Sequence, residues 1–390
     1  MSLGGSRVGR SRRGSLGRPF ARLAAVRRVS VIRLVLGPRP APDRILLYSM
    51  WFRGHNNPVV AELIERMQRV DACLIVFPAR RILRGVLLRA YRTSRPLLEA
   101  WLLRRAAGRY CGLFSADTGH IERFPGSVVM LMDDVLYSPR EVDLLNRPNV
   151  KAYFVTRDRA GRRYAELGVT TPYEVIPQAV PLGSLDRSRR DELIREKEAR
   201  GVFVVGYHAS FHLSAGDRGG GDLMYNVDHL LELWDGIREC IPNGELWLVG
   251  TAGDRLRERC AGRTDIVLFG RKPRDEYLAY VAAFDVGLYP RASGAGVQAA
   301  KLADYLGVGV PVVAYDYDVV RDDIGPTGAG ILAGTPAEFV DAVVALAGDP
   351  ERRRTLAAGS ARAGAERDWA VIQKRYAEVL DRYLLPATTP

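Results

Sequence analysis

The sequence predicts an α/β protein with two doubly wound, Rossmann-like domains in tandem. Two observations support this fold class. Short apolar runs of strand length alternate with amphipathic runs of helix length from residue 43 onward. Strands that alternate with helices favour open parallel sheets covered on both faces. The alternation stops at the highly charged stretch DRSRRDELIREKEAR and then restarts, which indicates two domains rather than one.

The first half supplies the strands of one predicted sheet. Its apolar runs are DRILLYSM, CLIVFP, YCGLFSA, SVVMLMDD, VKAYFVT and YEVIPQAV. Near-continuous apolar runs are typical of strands buried on both faces of a sheet. Pro58 marks the start of a helix through VVAELIERMQ, and Gly168 ends the helix RDRAGRRYAELG.

The second half repeats the pattern with the strand runs VFVVGYHAS, ELWLVG, DIVLFG, DVGLYP, VPVVAYD and GAGILA. Helical segments lie between them, and one late helix begins at Pro350. We predict a first domain at 43–185 and a second at 186–367. A basic extension at 1–42 precedes them, and a C-terminal helix at 368–390 crosses back to the first domain.

The positive charge is concentrated near the beginning of the chain. The net charge is +12, but residues 1–42 contain ten arginines and no acidic residue, so the remainder carries only +2. The apolar part of this segment favours a basic amphipathic helix on an anionic membrane surface. A disordered extension, a misplaced start codon and a signal peptide are the alternatives.

A second basic stretch, 79–109, contains nine arginines and a single acidic residue, Glu99. Leucines and Trp101 recur at helical spacing among the arginines. This mixture suits a lipid headgroup layer or an ordinary solvated helix. We expect no nucleic acid partner, because no helix-turn-helix, RRM or zinc-finger signature accompanies the charge.

The four cysteines are scattered without a CxxC pair, which suggests reduced thiols in the cytoplasm. Mean hydropathy is −0.09, and no apolar run is long enough for a transmembrane helix. The sequence also lacks a convincing metal motif, so we expect neither metal nor cofactor. The protein is expected to be cytoplasmic, and contact with the inner face of the membrane stays open.

Residues 265–314 resemble the donor domain of GT-B glycosyltransferases, in particular the group 1, family 4-like enzymes. The family pattern is a strand ending in Gly, a helix with a Glu-x-x-Tyr-like start, an Asp-x-x-x-x-Pro strand, and Lys-x-x-Glu followed by Gly-x-Pro. The matching residues are Gly270, Glu276, Tyr277, Asp285, Pro290, Lys301, Asp304, Gly309 and Pro311. The resemblance implies two Rossmann-like domains that face a central cleft.

The resemblance implies that Lys301 and Asp304 bind a nucleotide-diphospho-sugar. A carboxylate at Asp304 can accept hydrogen bonds from ribose hydroxyls, and Lys301 adds positive charge for the diphosphate. Backbone N–H groups at a helix start also bind anions, and the predicted contacts there are Gly294, Ala295, Gly296 and Gln298. The alternative for Lys301 and Asp304 is a surface ion pair at i, i+3.

Further donor contacts are expected in GYHASFH, after the first strand of the second half. Gly206 is expected to allow close approach of the ligand. His208, Ser210 and His212 are expected to donate hydrogen bonds to phosphate. Related enzymes often have an Arg/Lys pair near here; Arg271 and Lys272, after the strand DIVLFG, are expected to substitute. The chain also has Gly296 where many members carry a sugar-contacting Glu. The alternative for the histidines is a structural role.

The first half resembles the acceptor domain of the same enzymes in SVVMLMDDVLY. We predict that Asp134 is the catalytic base and that Asp133 orients it, since two adjacent carboxylates can raise one pKa. A role in capping the next helix or turn is the alternative. Arg53, His55 and Asn56 follow the first strand and are expected to bind the acceptor, an Arg being suited to phosphate.

Together these features predict a metal-independent, hexosyltransferase-type glycosyltransferase similar to membrane-associated bacterial sugar transferases. It is expected to move a sugar from the donor to an acceptor hydroxyl on a lipid-linked or polysaccharide precursor. Two alternatives stay open: a nucleotide-sugar epimerase on the same fold, and a non-catalytic protein that binds sugar nucleotides or nucleic acid. The sequence leaves the nucleotide base, the sugar and the stereochemical outcome open.

Overall fold

The computed structural model describes residues 44–51, 70–76, 97, 99–132, 135–212, 227–273, 276–291 and 300–385. The predicted basic extension, the helix after Pro58 and most of the arginine-rich stretch lie outside these residues. Within them, twelve strands form two six-stranded sheets in which every described pairing is parallel. The predicted fold class is therefore confirmed.

The strands of the first sheet coincide with the predicted apolar runs. They are β1 (Ile45–Trp51), β2 (Val70–Val76), β3 (Gly112–Ser115), β4 (Val128–Met132), β5 (Val150–Val155) and β6 (Tyr173–Val175). Strands β3 and β4 are buried at every position, as expected for central strands covered on both faces.

The second sheet has the order β12-β11-β10-β7-β8-β9. Its strands are β7 (Phe203–His212), β8 (Gly244–Ala252), β9 (Ile266–Gly270), β10 (Val286–Tyr289), β11 (Val312–Tyr315) and β12 (Gly330–Ala333). Strand β7 lies at the centre between β10 and β8. The order reverses direction there, which places a topological switch point beside β7.

Twelve helices are described with their bounds. They are α1 (Gly119–Arg123), α2 (Pro139–Leu145), α3 (Asp158–Glu166), α4 (Arg187–Ala199), α5 (Val227–Cys240), α6 (Asp254–Cys260), α7 (Tyr277–Val281), α8 (Ala300–Gly307), α9 (Asp318–Ile324), α10 (Pro336–Gly348), α11 (Pro350–Ala365) and α12 (Trp369–Leu384). Residues 99–107 are also helical. As predicted, one helix starts at Pro350, where a missing N–H costs nothing.

Apolar cores cover both faces of the second sheet. Trp234 of α5 and Phe339 of α10 belong to the core on one face, and Trp247 of β8 and Tyr305 of α8 belong to the core on the other. All four side chains are buried almost completely. This double coverage explains the long apolar runs that made the strands recognisable.

The chain divides into two compact units. One contains the described residues of Met1–Ser115, with Arg123–Ser127 and Leu385; the other contains Ala116–Glu122 and Val128–Leu384. In the first unit the strand order is β2-β1-β3. The second unit holds β4, β5 and β6 together with the whole second sheet. These bounds differ from the predicted domain boundaries, which stay a prediction.

The last helix, α12, packs within the second unit against β4 and β5. Its Tyr376 ring meets Phe154 of β5 edge-on at 5.0 Å between ring centroids. Arg382 donates to Glu174 of β6 at 2.7 Å, and Arg375 donates to the backbone oxygen of Val175 at 2.7 Å. A helix that follows the second sheet in sequence therefore packs on strands of the first half.

Candidate functional site

The best-defined candidate site lies at the carboxyl end of β7, next to α7 and α8. Parallel sheets bind ligands at the carboxyl ends of their strands, close to the switch point. The polar and aromatic residues collected here are called the β7–α8 cluster: Gly206, Tyr207, His208, His212, Tyr277, Arg291, Lys301, Asp304 and Tyr305. Five predicted donor-binding residues, Gly206, His208, His212, Lys301 and Asp304, come together in it.

Helix α8 is anchored to the sheet by a buried tyrosine. The Tyr305 hydroxyl lies 3.1 Å from the backbone oxygen of Leu288 in β10 and 3.5 Å from that of Gly206 in β7. The helix ends at a turn in which Gly309 has a φ of +76°, a conformation that disfavours side chains with a Cβ atom. These two features set the direction in which Lys301 and Asp304 point.

Asp304 is half-buried and lies between α7 and β7. The Tyr277 hydroxyl of α7 donates a hydrogen bond to Asp304 Oδ1 at 3.0 Å. On the other side, His208 Nε2 of β7 lies 3.7 Å from Asp304 Oδ2, beyond hydrogen-bonding distance. Only 14% of the Asp304 side chain is exposed, so the alternative of an exposed surface ion pair is not supported.

Lys301 lies in the same partly buried place. Its Nζ sits 5.2 Å from the centre of the Tyr207 ring, within cation–π distance. The pKa of Lys301 is lowered to about 8, mainly by burial and then by the positive charge of Arg291, whereas Asp304 acts in the opposite direction. Lys301 and Arg291 therefore repel each other, and a polyanionic ligand bound beside them would reduce this repulsion.

Two buried histidines adjoin this lysine. Burial lowers the pKa of His208 to about 3, with a further contribution from the charge of Lys301, and burial lowers the pKa of His212 to about 4. Both rings are therefore neutral at pH 7. Within the described structure, His208 Nε2 and both ring nitrogens of His212 have no hydrogen-bond partner. Buried polar atoms are usually paired, so this exception calls for an explanation.

Gly206 has a packing role that the sequence did not reveal. A Cβ atom added at this position would lie 2.0 Å from the Phe284 ring. The absence of a side chain at Gly206 lets the Phe284 ring pack against β7. This packing explains the glycine without the close approach of a ligand that the sequence predicted. Nothing tests its donor-binding role, which stays a prediction.

Asp285, one of the residues that match the family pattern, has a structural role. It lies just before β10, at the opposite end from the β7–α8 cluster. Its carboxylate accepts from Lys197 Nζ of α4 at 2.8 Å and from the backbone N–H of Val204 at 2.8 Å. Lys197 also donates to the backbone oxygen of Ala283 at 2.8 Å. The network fastens α4 and β7 to the start of β10.

Other predicted residues fall partly or wholly outside the described structure. Arg271 is exposed after β9, and the side chain of Ser210 is not described. The remaining predictions lie outside the described residues: Asp133, Asp134, Gly294, Ala295, Gly296, Gln298, Arg53, His55 and Asn56. Their assigned roles stay predictions.

The loop that follows Asp133 and Asp134 is held firmly by Glu141 of α2. Its Oε2 atom accepts from the backbone N–H groups of Leu136 and Ser138, both at 3.2 Å, and from the Tyr164 hydroxyl at 2.9 Å. Glu141 is buried, and the same carboxylate completes a capping box with Ser138. The loop on one side of the predicted catalytic pair is therefore fixed.

Sequence reasoning missed Arg291 as a member of the cluster. It follows β10 in YPRASGAG, so its position after a strand end was the available signal. Lys272, the neighbour of Arg271, has its Nζ 4.5 Å from the centre of the Tyr280 ring. Arg291, whose charge acts on Lys301, is thus the more direct second cation.

Part of the chain is similar in sequence to known proteins. Residues 221–349 match the family model described as glycosyl transferases group 1. A phosphatidyl-myo-inositol mannosyltransferase of Mycobacterium leprae is 30% identical over 158 residues, 39% of this chain. That match spans only 41% of the curated relative.

The solved structures that resemble the chain share its architecture. HepE of Anabaena, in complex with UDP, has a TM-score of 0.62 at 17% identity, covering 87% of this chain and 100% of that one. WaaG, a glycosyltransferase of lipopolysaccharide biosynthesis, has a TM-score of 0.60 at 13% identity, covering 86% and 99%. The fold is therefore GT-B. On that fold, residues 221–349 are similar in sequence to group 1 glycosyl transferases.

Proposed function

We propose that the protein transfers a sugar from a nucleotide-diphospho-sugar to an acceptor hydroxyl. The observation that carries this proposal is the β7–α8 cluster, where Lys301, Arg291 and the carboxylate of Asp304 meet at a topological switch point. Two cations and one acceptor-only group match a ligand that contains both a diphosphate and a ribose. Relatives support the donor class, because HepE structures contain UDP or UDP-glucose.

In the proposed reaction, the acceptor oxygen attacks the anomeric carbon of the donor sugar. The bond between that carbon and the diphosphate oxygen breaks, and the nucleoside diphosphate leaves with the electron pair. Lys301 and Arg291 stabilise the charge that develops on the leaving group, which makes the proposed transfer independent of a metal ion. The proton of the acceptor hydroxyl goes to Asp134, with Asp133 as its neighbour.

We further propose a lipid-linked or saccharide acceptor at the inner face of a membrane. Two relatives support it by name: the mannosyltransferase of M. leprae acts in phosphatidyl-myo-inositol chemistry, and WaaG in lipopolysaccharide biosynthesis. In this chain, Leu97 is 75% exposed and Trp101 is 48% exposed, beside exposed Arg104 and Arg105. Aromatic, aliphatic and basic side chains on one helical segment suit an anionic lipid surface. Within the described parts of the chain, no helix is long and apolar enough to span a bilayer.

A nucleotide panel in a thermal-shift assay tests the donor site. UDP, GDP and ADP are compared with the corresponding monophosphates. A ligand at a hundred times its Kd should stabilise the fold by about 2.7 kcal/mol, and the preferred base narrows the donor. Lys301→Met should lose the stabilisation, while Lys374→Met, on the exposed face of α12, should keep it. Absence of stabilisation by every diphosphate would contradict the proposed function.

The catalytic base is tested by Asp134→Asn. If Asp134 takes the acceptor proton, kcat should fall by about two to four orders of magnitude while donor binding stays unchanged. Product analysis with donor alone separates transfer from epimerisation, which requires no acceptor. Full activity of Asp134→Asn would remove this residue from the mechanism.

A further inference from the structure

His208 of β7 has a ring nitrogen to which the described part of the chain offers no hydrogen-bond partner. The side chain is 9% exposed, and the nitrogen concerned, Nε2, is buried. A buried polar atom without a partner costs free energy, and a ligand that hydrogen-bonds to it recovers that cost. The atoms around Nε2 therefore indicate which chemical group would bind there.

Two tyrosines fix the orientation of the His208 ring. The Tyr305 ring meets it edge-on at 5.1 Å between ring centroids, and the Tyr277 ring lies at 6.0 Å. Both tyrosines are themselves held, because the Tyr305 hydroxyl donates to the backbone oxygen of Leu288 and the Tyr277 hydroxyl donates to Asp304. Nε2 of His208 therefore keeps a defined position relative to the Asp304 carboxylate.

Nε2 of His208 and Oδ2 of Asp304 face each other and are called the His208–Asp304 pair. The two atoms are 3.7 Å apart, too far for a hydrogen bond between them. An oxygen atom of a ligand can lie at about 2.8 Å from either of them, within the normal range for a hydrogen bond. The other carboxylate oxygen, Oδ1, accepts from the Tyr277 hydroxyl at 3.0 Å. The pair thus presents two polar atoms, close together, to one ligand.

The electrostatics of the His208–Asp304 pair favour hydroxyl groups over phosphate. The pKa of His208 is lowered to about 3, mainly by burial and then by the positive charge of Lys301, whereas a hydrogen bond with the Lys301 backbone acts in the opposite direction. The ring is therefore neutral at pH 7 and offers a phosphate group no positive charge. The neighbouring carboxylate would also repel phosphate, whereas it readily accepts a hydrogen bond from a hydroxyl.

The position of the ring proton refines this match. A backbone group that favours the charged ring must accept from a ring N–H, and Nε2 has no partner among the described residues, so Nδ1 of His208 carries the proton. Nε2 then offers a lone pair, as Oδ2 of Asp304 does. Two neighbouring acceptors match two neighbouring O–H donors, which is the pattern of a vicinal diol such as the 2′- and 3′-hydroxyls of ribose.

We propose that His208 is a specificity-determining residue that binds the ribose of the nucleotide donor together with Asp304. One ribose hydroxyl donates to the Asp304 carboxylate, and the other donates to Nε2 of His208. This inference rests on the proposed transferase function and adds the residue that distinguishes a ribonucleotide from a deoxyribonucleotide. It differs from the expectation from sequence that His208 donates to phosphate, a role that Lys301 and Arg291 fill in the proposed function.

Calorimetric titration with deoxynucleotides tests the proposal. UDP and GDP are each compared with their 2′-deoxy and 3′-deoxy analogues, which lack one ribose hydroxyl each. The wild type should bind both analogues about tenfold or more weakly than the ribonucleotide. His208→Phe keeps an aromatic ring beside the two tyrosines and removes both ring nitrogens. It should bind one of the two analogues as tightly as the ribonucleotide, while Asp304 maintains the discrimination against the other.

Two further variants show whether the effect belongs to Nε2. His208→Gln carries a side-chain oxygen that can accept from a hydroxyl, so it should keep part of the discrimination that His208→Phe loses. His120→Gln makes the same change at another buried histidine, on α1, and should discriminate like the wild type. Equal discrimination by His208→Gln and His208→Phe would overturn the proposal, and so would a loss in His120→Gln as large as in His208→Phe.

The same titrations separate the ribose from the diphosphate as the group that His208 contacts. If His208→Phe lowers the preference for UDP over UMP and leaves the discrimination against both deoxy analogues unchanged, the ring contacts the diphosphate and the proposal is wrong. Nucleotide binding with unchanged discrimination would refute this inference alone. A wild-type chain that binds none of UDP, GDP and ADP would refute the transferase function, so the two failures are distinguishable.

Discussion

Lys301 keeps its charge in a buried place where an ammonium group loses much of its hydration. The nearby Asp304 compensates only in part, since the net effect of the surroundings still lowers the pKa of Lys301. The same burial makes the residue useful, because a charge in a low-dielectric site acts strongly on a bound diphosphate. At the residue scale, stability and ligand binding therefore oppose each other.

This opposition predicts the behaviour of Lys301→Met. Without ligand, the variant should have a higher Tm than the wild type at pH 7, because it removes a poorly solvated charge. In the wild type, stability should rise between pH 8 and 10.5, where the unfolded chain binds the lysine proton and the folded chain has lost it. The difference between the two proteins is measured by calorimetry across that range. Lys374→Met is the control, and a lower Tm for Lys301→Met would contradict the argument.

Gly206 can be assigned to packing or to ligand approach by experiment. Gly206→Ala should destabilise the fold by about 2–3 kcal/mol, because its Cβ would overlap the Phe284 ring. The double variant with Phe284→Leu should recover part of that stability in urea unfolding. If donor affinity recovers with it, the role of the glycine is packing. Recovered stability without recovered affinity would show that the ligand itself needs the space.

Residue-scale pairings were the part of the site least accessible from sequence. Asp323 meets Arg157 from 166 positions away, and no spacing rule connects them. Lys301 and Asp304 were recognisable because they lie one helical turn apart inside a dense local pattern. Arg291 was missed for the opposite reason, since its relation to Lys301 depends on how the chain returns from β10 to α8.

At the scale of elements, two lysines with similar surroundings lie at opposite ends of the strands of the second sheet. Lys197 of α4 binds Asp285 at the amino end of β10, whereas Lys301 of α8 lies at the carboxyl end of the strands. Parallel sheets bind ligands only at the carboxyl end. Position along the strand therefore separates a structural lysine from a candidate functional one.

Lys197→Met tests this separation. Loss of the ammonium group leaves Asp285 without its cation, and we expect a loss of about 2 kcal/mol, less than for a fully buried pair because Asp285 is 23% exposed. Lys197→Met/Asp285→Asn should be less destabilised than the single variant. The UDP-induced shift should be unchanged in both. Loss of UDP binding in a folded Lys197→Met would show that the two ends of β10 are coupled.

The strands themselves were predictable because each is a local apolar run. Every described strand falls on a run identified from sequence, and α11 begins at the expected Pro350. The expectation for the last helix was only that it returns to the first domain, and no pattern in the sequence named β4 and β5 as the strands that α12 contacts. Local hydrophobicity specifies which segments form strands and helices, but not which surfaces they join.

At the scale of the whole molecule, charge and apolar exposure coincide near residue 101. The helical residues 99–107 bury Leu102, Leu103 and Ala106 and expose Trp101 with two arginines. An ion pair between the buried Glu99 and the half-buried Arg123 fixes the segment within its unit. The exposed Trp101 and its two neighbouring arginines therefore lie on a helix that packs against the rest of its unit.

Vesicle co-sedimentation tests whether this side contacts lipid. The wild type should bind vesicles with phosphatidylglycerol more strongly than vesicles of phosphatidylcholine alone, and added salt should weaken the binding. Trp101→Ser with Arg104→Glu and Arg105→Glu should reduce binding to anionic vesicles by about tenfold or more, because each basic residue near the surface contributes about 1 kcal/mol. Arg354→Glu and Arg362→Glu on α11 serve as the charge-matched control. Equal binding to both vesicle types would remove the electrostatic contribution.

The lowered pKa of Lys301 has a thermodynamic consequence for the encounter with a nucleotide. Near pH 8 a sizeable fraction of the empty sites holds a neutral amine, whereas a bound diphosphate favours the ammonium form. Binding must then draw protons from the solution. The heat of UDP binding at pH 8 should consequently change with the ionisation enthalpy of the buffer, and the slope gives the number of protons taken up per molecule bound.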